Sequence, residues 1–328
     1  MGRLTAFIAM AAGVIAPSPA SGPDGLLVFG VAGGRDGRTV TSELAVVANP
    51  RTGRRRSRRL AGGTLCHGPL LAGGDGVVFS GHRGRLPVAR TLPFDLRGQP
   101  RSLGRAEVAA QVGSSGRLLI GRSRFRRRRT VLGPLRELSP SRRRSVRSRI
   151  VLPRWSSLEA GVDGDLLVTS NRLLALWDPA AGRPRLSLRG AALLAGGERR
   201  FAWCRGACAG VRVWTPHGTL TVSPLAGARP VSWVRGAFSP DDRALALAVR
   251  MRNGVRAAVV DLATGTWTVI RGAPLGGYQA MAWSPSGEWL VFTAAPRRLM
   301  AWRRGAQHAL ELPGRPGGTV MSVATAPS

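Results

Sequence analysis

The sequence predicts an all-β fold, a seven-bladed β-propeller closed by its C-terminal strand, from three observations. Two segments about 45 residues apart, 237–249 and 282–292, share an aromatic-Ser-Pro turn followed by a short apolar strand, and a repeat of this length is typical of a propeller blade. Short apolar runs recur at a similar interval along the chain. Gly (44) and Pro (23) are abundant, as tight turns between many short strands require.

The N-terminus has the pattern of an export signal. Arg3 precedes an apolar run over 4–16, and the small residues Ser18 and Ala20 suit cleavage after Ala20. The run is too short to span a bilayer, and an uncleaved N-terminal anchor is the alternative. We therefore predict a signal peptide or anchor at 1–20, a single propeller domain at 21–328, and no later transmembrane span. The predicted location is secreted or in the cell envelope of a bacterium.

Seven apolar runs mark the second strand of each predicted blade. They lie about 44 residues apart on average, within the range of four-stranded blades. They occupy residues 26–29, 77–79, 118–120, 166–169, 201–203, 245–249 and 290–293.

The predicted third and fourth strands are joined by turns of a common pattern. In 178–182 and 261–265, Asp opens the turn by bonding to the backbone, and Gly four residues later takes a positive φ. Residues 49–53 follow the same rule with Asn, and 95–98 and 215–218 are shorter versions.

The two ends of the chain predict how the ring closes. The first apolar run begins close to the mature N-terminus, so the first blade lacks an inner strand. Residues 317–324 mirror 276–283 and supply a spare strand. We therefore expect the last strand to complete the first blade, which leaves no open sheet edge.

The Ser-Pro turns at Ser239 and Ser284, with their following strands, resemble the repeat of TolB-type, WD-like bacterial β-propellers. The WD repeat itself is a poorer match, because Trp177-Asp178 is a lone dipeptide without an upstream Gly-His. The resemblance is carried by the last two predicted blades. It implies a platform for interactions with other proteins.

The aromatic and sulfur residues favour structural roles. Stacked blades need large flat side chains, so packing is preferred to a ligand-stacking ring in the central channel for Trp177, Trp214, Trp233, Trp267, Trp283, Trp289 and Trp302. Cys204 and Cys208 flank a hairpin tip, where an exported protein favours a disulfide over free thiols or a metal or redox site. Cys66 is expected to be a buried thiol.

Catalytic patterns are weak. The sequence has no G-x-S-x-G motif, and its four His and few acids form no triad or carboxylate pair. Four acids are candidate metal ligands, but their positions favour a role in turns over metal binding, namely Asp163, Asp165, Asp241 and Asp242. We predict no catalytic residues, no metal and no cofactor. The alternative is a small-molecule-binding or lactonase-like enzyme that uses the central channel.

Arginine is the main functional feature. The chain has 49 basic residues, all Arg, against 17 acidic ones, for a net charge of +32. The loops between second and third strands open on one face of a propeller, and most contain Arg. The predicted polyanion- or partner-binding residues are Arg35, Arg38, Arg83, Arg85, Arg122, Arg124, Arg126, Arg127, Arg128, Arg129, Arg250, Arg252, Arg297 and Arg298.

Such a face attracts acidic partners in a salt-dependent way, and guanidinium groups pair with carboxylates and phosphates. The alternative is that GC-rich codon usage fills solvated turns with Arg, and the runs at 54–59 and 142–149 fall outside the predicted face. We expect a monomeric scaffold whose partner is an acidic protein, or an anionic envelope polymer or lipid. Nucleic acid is disfavoured because no aromatic residues alternate with the Arg runs.

Overall fold

A computed structural model describes most of the chain. The described residues are 26–33, 41–49, 54–60, 71–73, 76–83, 86–105, 108–112, 117–121, 123–126, 129–132, 135–138, 143–146, 150–153, 157–170, 173–272, 274–275, 281–294, 298–313 and 319–326. The predicted export segment at 1–20 and Cys66 lie outside these ranges. Within them, all regular structure is β-strand, and no helix is long and apolar enough to cross a membrane.

Two four-stranded sheets contain the first part of the chain. The strands are β1 (Leu26–Gly33), β2 (Thr41–Asn49), β3 (Arg54–Leu60), β4 (Leu71–Gly73), β5 (Gly76–Arg83), β6 (Leu86–Pro93) and β7 (Arg101–Arg105). In the second sheet, β4 to β7 pair in sequence order with antiparallel neighbours.

The arginine-rich middle of the chain forms one large sheet and one small sheet. Its strands are β8 (Val108–Val112), β9 (Arg117–Gly121), β10 (Ser123–Arg126), β11 (Arg129–Leu132), β12 (Leu135–Leu138), β13 (Arg143–Val146), β14 (Ile150–Pro153), β15 (Ser157–Val162), β16 (Asp165–Ser170), β17 (Leu173–Asp178) and β18 (Arg183–Arg189). The eight-stranded sheet has the order β13-β12-β9-β8-β15-β16-β17-β18, and the three-stranded sheet has the order β10-β11-β14.

Three further sheets follow. Their strands are β19 (Ala191–Gly196), β20 (Phe201–Arg205), β21 (Val211–Thr215), β22 (Gly218–Val222), β23 (Arg229–Pro230), β24 (Ala237–Phe238), β25 (Ala244–Met251), β26 (Gly254–Asp261), β27 (Trp267–Val269), β28 (Met281–Trp283), β29 (Trp289–Ala294), β30 (Arg298–Arg303) and β31 (Leu310–Glu311). The sheets comprise β19–β22, β23–β27 and β28–β31.

The final strand, β32 (Thr319–Ala326), pairs with the first. It runs antiparallel to β1 from Leu26 opposite Ala326 to Ala32 opposite Thr319, with a register shift between Gly30 and Val31. The first sheet therefore has the order β3-β2-β1-β32 and contains both ends of the described chain.

The inner strands contact one another in succession, which is the arrangement of a β-propeller. Contacts run from β8 to β15, β19, β24, β28, β32 and β4 in that order. All seven apolar runs predicted as second strands lie within strands of these sheets. The predicted all-β propeller fold is therefore confirmed.

The number of blades differs from the prediction. Five sheets have the four or five strands of a single blade, so the expectation of seven is wrong. The difference arises in the arginine-rich segment, where Gly161 pairs in parallel with Val112 and joins β8 to β15 in one eight-stranded sheet. A further three strands there form a sheet too small for a blade.

The predicted turns between third and fourth strands are confirmed where they are described. Asp178 Oδ1 accepts hydrogen bonds from the amides of Ala180 (2.7 Å) and Ala181 (2.9 Å), and Gly182 has a φ of 66°. The turn at 261–265 repeats this geometry, with bonds from 263 and 264 to the opening Asp and a φ of 72° at its Gly. Most of the predicted 49–53 turn lies outside the described residues.

The two Ser-Pro turns have matching geometry. The Ser239 hydroxyl accepts from the Ala244 amide at 2.9 Å, and the Ser284 hydroxyl accepts from the Trp289 amide at 3.1 Å. Both serines are buried. Each turn also contains a residue with positive φ at the same repeat position, Asp242 and Gly287. The shared sequence pattern therefore encodes one hydrogen-bonded turn between a first and a second strand.

Tryptophan packs between the sheets as predicted, with one exception. Trp283, Trp289 and Trp302 are buried, and the rings of Trp283 and Trp302 meet edge to face at 6.3 Å. The Trp283 indole donates to the Ala237 carbonyl at 3.0 Å, which joins two neighbouring sheets. Trp233 was expected to pack within a strand, but it lies between β23 and β24 and is 47% exposed.

Candidate functional site

The antiparallel strands give each blade two ends with different charge. At one end, which we name the "turn end", a turn connects the first strand of the blade to the second, and another connects the third strand to the fourth. The opposite end is the "loop end". There, one loop connects the second strand to the third, and another connects the fourth strand to the next sheet. Most acidic side chains that the structure describes lie at the turn end, namely Asp95, Asp163, Asp178, Glu198, Asp241, Asp242, Asp261 and Glu288.

Acids at the turn end pair with arginines of neighbouring sheets. Arg304, between β30 and β31, contacts Asp241 at 2.9 Å and Asp261 at 3.8 Å. Arg200, between β19 and β20, contacts the Asp242 carboxylate at 3.3 Å and donates to its carbonyl at 2.9 Å. The turn end thus uses its charges to join the β23–β27 sheet to the sheets on either side.

These contacts shift the acid pKa values in opposite directions. Burial raises the pKa of Asp242, and the nearby Arg200 opposes that change only in part. Burial also acts to raise the pKa of Asp241, but hydrogen bonds from Ser239, the Arg243 amide and Arg304 outweigh it and lower the pKa. Backbone hydrogen bonds, first that of the Thr264 amide, lower the pKa of Asp261.

Exposed arginines occur at both ends, with Arg97, Arg183, Arg199 and Arg243 at the turn end, but the loop end lacks the acids named above. Its exposed arginines with described side chains include Arg189, Arg205, Arg229, Arg250 and Arg252. No salt bridge joins any of these five to another residue within the described ranges. Among the residues that the structure describes, these five arginines therefore carry positive charge without an ion-pair partner.

Two of these arginines stand opposite each other in the β23–β27 sheet. Arg229 of β23 is the register partner of Arg250 of β25. Directly opposed residues in antiparallel strands place their side chains on one face of the sheet, with Cβ atoms about 5 Å apart. Arg252 occupies the tip of the turn that follows β25. This corner of the loop end therefore concentrates three guanidinium groups.

A bulge in the inner strand lies next to this arginine pair. β23 and β24 both pair with β25, and residues 231–236 between them stand opposite only Leu247 and Ala248. Because the extra residues cannot fit the ladder, they project from the inner strand, which borders the propeller axis. Trp233 is the one exposed tryptophan among residues of described burial.

The bulge is held by contacts to two other inner strands. The Arg235 guanidinium donates to the Leu193 carbonyl of β19 at 2.6 Å and pairs with Glu159 of β15 at 3.3 Å. The Gly236 amide donates to the Leu194 carbonyl at 2.9 Å. The exposed indole is therefore carried by a backbone that is fixed on both sides.

The predicted disulfide is confirmed at the loop end. Cys204 and Cys208 are bonded between β20 and β21, with their Cα atoms 5.0 Å apart and both side chains buried. Beside them, the guanidinium carbons of Arg205 and Arg212 lie 5.3 and 5.2 Å from the Trp203 ring centroid. Cation–π attraction therefore orients both arginines on the same indole.

The structure describes half of the predicted binding arginines. Arg83 ends β5, Arg250 lies near the end of β25, and Arg252 follows in the turn, so these backbone positions are at the loop end as expected. Seven others lie outside the described residues, namely Arg35, Arg38, Arg85, Arg122, Arg127, Arg128 and Arg297.

Four predicted loop positions are strand residues. Arg124 and Arg126 lie in β10, and Arg129 lies in β11 as the register partner of Arg126. Their segments alternate Arg with apolar or small residues, and Thr130 is fully buried, as a strand with one covered face requires. Arg298 begins β30 and pairs with Glu311 at 3.4 Å. Arg124, Arg126 and Arg129 therefore lie in strands and not in a loop, whereas Arg298, like Arg83 and Arg250, lies near a strand terminus at the loop end.

Sequence reasoning missed Arg229, Arg235 and Glu159 as parts of a site. Arg229 lies in a segment that reads as an ordinary connection, and the Arg235–Glu159 contact joins residues far apart in sequence. One signal was available, because Trp233 and Arg235 interrupt the apolar alternation expected of an inner strand.

The four candidate metal ligands act as turn and pairing residues. Asp165 pairs with Arg185 at 2.9 Å, and burial raises its pKa against that attraction. Asp163 lies in the turn before β16 with a φ of 50°. Across the part of the chain that the structure describes, no group of three or more His, Cys, Asp or Glu residues could hold a metal ion.

Neither a known protein family nor a curated protein sequence matches this chain. Solved structures do match. TolB from Acinetobacter baumannii has a TM-score of 0.50 and 14% identity, over 93% of this chain and 67% of that protein. The β-propeller domain of the Trilobed protease from Pyrococcus furiosus, described as having an open velcro topology, has a TM-score of 0.59 and 10% identity, over 89% and 93%.

A proposed 6-phosphogluconolactonase from Bacteroides fragilis has a TM-score of 0.52 and 12% identity, over 93% of this chain and 99% of that protein. These neighbours include domains of enzymes and a protein of the TolB type. At such identities the likeness concerns the fold alone. The resemblance in the Ser-Pro repeats and the likeness to solved structures agree, and the chain has a TolB-like β-propeller fold.

Proposed function

We propose that this chain is a non-catalytic, exported binding module that uses the loop end of its propeller to hold an acidic protein. The separation of charge carries this proposal. The described acids are concentrated at the turn end, where several pair with arginines. The exposed arginines at the loop end lack such partners among the described residues. An acidic surface would neutralise them, and the attraction would steer its approach.

Export is supported by the bonded cysteines. A disulfide persists in oxidising compartments such as the bacterial periplasm and the extracellular space. The Cys204–Cys208 bond therefore suits the secreted or envelope location that the N-terminal sequence pattern predicts. We also propose that the pairing of β32 with β1 closes the propeller ring, as the mirrored segments of the sequence predict.

The second candidate is a lactonase-like enzyme or small-molecule sensor that uses the propeller axis. The match over 99% of the proposed 6-phosphogluconolactonase favours it. Against it, the described inner strands contain a single acidic residue, Glu159, and that carboxylate is paired with Arg235. A charge already engaged in holding a bulge is poorly suited to act as a general base. The binding module is therefore the preferred function.

The test is binding of the full chain to an immobilised acidic protein at low and at physiological salt. We expect affinity to fall steeply with salt, and the charge reversals Arg205→Glu and Arg252→Glu to weaken it at low salt. Arg243→Glu is the matched control, because it makes the same charge change at the turn end. Equal losses in all three variants, or no dependence on salt, would contradict the proposal. Binding to anionic vesicles but not to the acidic protein would assign the face to lipid instead.

A further inference from the structure

We infer that Arg229, Arg250 and Trp233 form a carboxylate-binding site for an acidic segment of a protein partner. The inference rests on the proposed function and adds where on the loop end a partner carboxylate is held. It also predicts that the partner has an apolar side chain next to that carboxylate. Three observations support it: the opposed arginines, the exposed indole and the contacts that fix the bulge.

The opposed arginines form a pair that the fold itself does not compensate. Arg229 and Arg250 are register partners, both are exposed, and no salt bridge links either to a described acid. Like charges directly opposite each other destabilise a sheet. A carboxylate placed between the two guanidinium groups removes this repulsion and accepts charge-assisted hydrogen bonds from both. The free protein therefore carries a repulsion that an anion relieves.

The exposed indole gives the site an apolar part. Trp233 lies on the bulge that begins directly after Pro230, the residue next to Arg229. Tryptophan and arginine are the residue types most enriched where binding energy concentrates in protein interfaces. An apolar side chain next to the bound carboxylate would cover the indole and exclude water from the ion pair, which strengthens the electrostatic attraction.

The bulge is ordered before any partner arrives. Val231 and Val234 are buried on either side of Trp233, and the Val231 amide donates to the Ala248 carbonyl at 2.9 Å. Arg235 then fixes the end of the bulge against β19 and β15. A partner would therefore lose little free energy to ordering this backbone, and preorganisation of this kind raises affinity.

The chemistry favours a protein over other polyanions. Single-stranded nucleic acid is held by successive aromatic platforms, whereas the described surface offers one exposed tryptophan. Two opposed guanidinium groups, with one exposed ring on the bulge that follows Arg229 and Pro230, instead match a carboxylate followed by an apolar side chain. Alternating Glu and Leu in an extended segment presents that pair of groups.

The experiment uses the full chain and a short synthetic peptide that alternates Glu and Leu, with a Gln-for-Glu peptide as its counterpart. Calorimetry measures affinity, and tryptophan fluorescence reports burial of the indole. We expect the Glu peptide to bind and to change the fluorescence, and the Gln peptide to bind at least about tenfold more weakly. The fluorescence change should disappear in Trp233→Phe.

Arginine variants separate this site from general charge. Arg229→Gln and Arg250→Gln should each weaken Glu-peptide binding by about tenfold or more, whereas Arg243→Gln at the turn end should change it by less than about twofold. Arg250→Lys keeps the charge but loses the planar fork, so its affinity should lie between those of wild type and Arg250→Gln. Thermal unfolding of each variant verifies that it folds.

Two results would overturn the inference while leaving the proposed function intact. One is loss of acidic-protein binding in Arg205→Glu and Arg252→Glu, with Glu-peptide affinity unchanged in Arg229→Gln and Arg250→Gln. The other is equal affinity for the Glu and Gln peptides alongside salt-dependent binding of the acidic protein. If the wild-type chain binds neither the peptide nor the acidic protein, both proposals fail together.

Discussion

Two adjacent acids, Asp241 and Asp242, connect the β23–β27 sheet to both of its neighbours. Asp242 contacts Arg200 from the preceding sheet, and Asp241 contacts Arg304 from the following one. Arg304 also reaches Asp261, so a single guanidinium group links two turns of one sheet to a turn of the next. Because one of these consecutive carboxylates pairs with the preceding sheet and the other with the following sheet, a single turn fixes the relative positions of three sheets.

Arg304→Gln should lower the free energy of unfolding by up to about 1 kcal/mol at neutral pH, the range of partly exposed ion pairs. The lowered pKa values of Asp241 and Asp261 belong to the folded state, so their contribution is complete above the unfolded value of about 3.9 and is lost as pH falls through the folded values. The difference between variant and wild type should therefore be largest at pH 7 and vanish in acid.

Urea unfolding at several pH values measures this difference. Arg243→Gln serves as the control, because Arg243 lies in the same turn, is exposed, and has no salt bridge to another described residue. It should leave stability unchanged at every pH. An Arg304→Gln effect that is constant with pH would show that the guanidinium acts through packing and not through the carboxylates.

The bulge at 231–236 shows where local sequence stops determining structure. Apolar runs predicted the strands, because strands packed between neighbouring sheets bury apolar side chains. The Asp-x-x-x-Gly pattern predicted the turns, because the Asp carboxylate accepts hydrogen bonds from backbone amides of the same turn. The bulge has no comparable local rule, since Arg235 is fixed by Leu193 and Glu159, which lie in other strands. For the same reason, Arg229 and Arg250 could not be recognised as opposed before the register was known.

Gly236 is the residue that permits the bulge to rejoin the ladder. A Cβ at this position would lie 2.2 Å from the Ala246 carbonyl oxygen and 2.7 Å from Leu247 Cδ2. Gly236→Ala must push backbone apart and should lower the free energy of unfolding by about 1–3 kcal/mol or more. Gly210→Ala is the control, because a Cβ there meets nothing within 4 Å. Denaturant unfolding measures the loss of unfolding free energy in each variant. Equal stability of the two variants would contradict the close approach of Gly236 to Ala246 and Leu247.

At the scale of the whole molecule, β32 pairs with β1, so that one sheet contains both ends of the described chain. Val323 is buried in a cluster with Trp289 and Val291 of the neighbouring sheet. The Thr325 hydroxyl donates a hydrogen bond to the Trp283 carbonyl. The last strand is therefore attached to β1 by its ladder and to the β28–β31 sheet by its side chains.

Val323→Ala should lower the free energy of unfolding by about 2 kcal/mol through lost burial and the cavity left behind. If β32 closes the ring, the loss should appear in one cooperative transition followed by both far-UV and near-UV circular dichroism. Val269→Ala in the outer strand β27 is the control, because Val269 is only half-buried and should cost less. Separate transitions by the two signals would mean that β32 detaches by itself, which would contradict closure.

The net charge of +32 sets the response of the whole molecule to ions. Most described acids lie at the turn end. Arginines elsewhere therefore repel one another, and folding brings them closer than they are in the unfolded chain. Salt reduces this repulsion, because the screening length falls from about 30 Å at 0.01 M to about 8 Å at 0.15 M. We therefore expect the melting temperature to rise with sodium chloride, against the modest weakening of the turn-end ion pairs.

A polyanion at low salt should stabilise the chain further, since it binds the folded loop end more tightly than the dispersed charges of the unfolded state. Melting in sodium chloride and in polyglutamate separates general screening from binding. Arg229→Gln and Arg250→Gln should raise the melting temperature at low salt by removing the opposed charges, yet reduce the additional gain from polyglutamate. A melting temperature that falls as salt rises would mean that ion pairs outweigh repulsion, and the arginine excess would then be a source of stability.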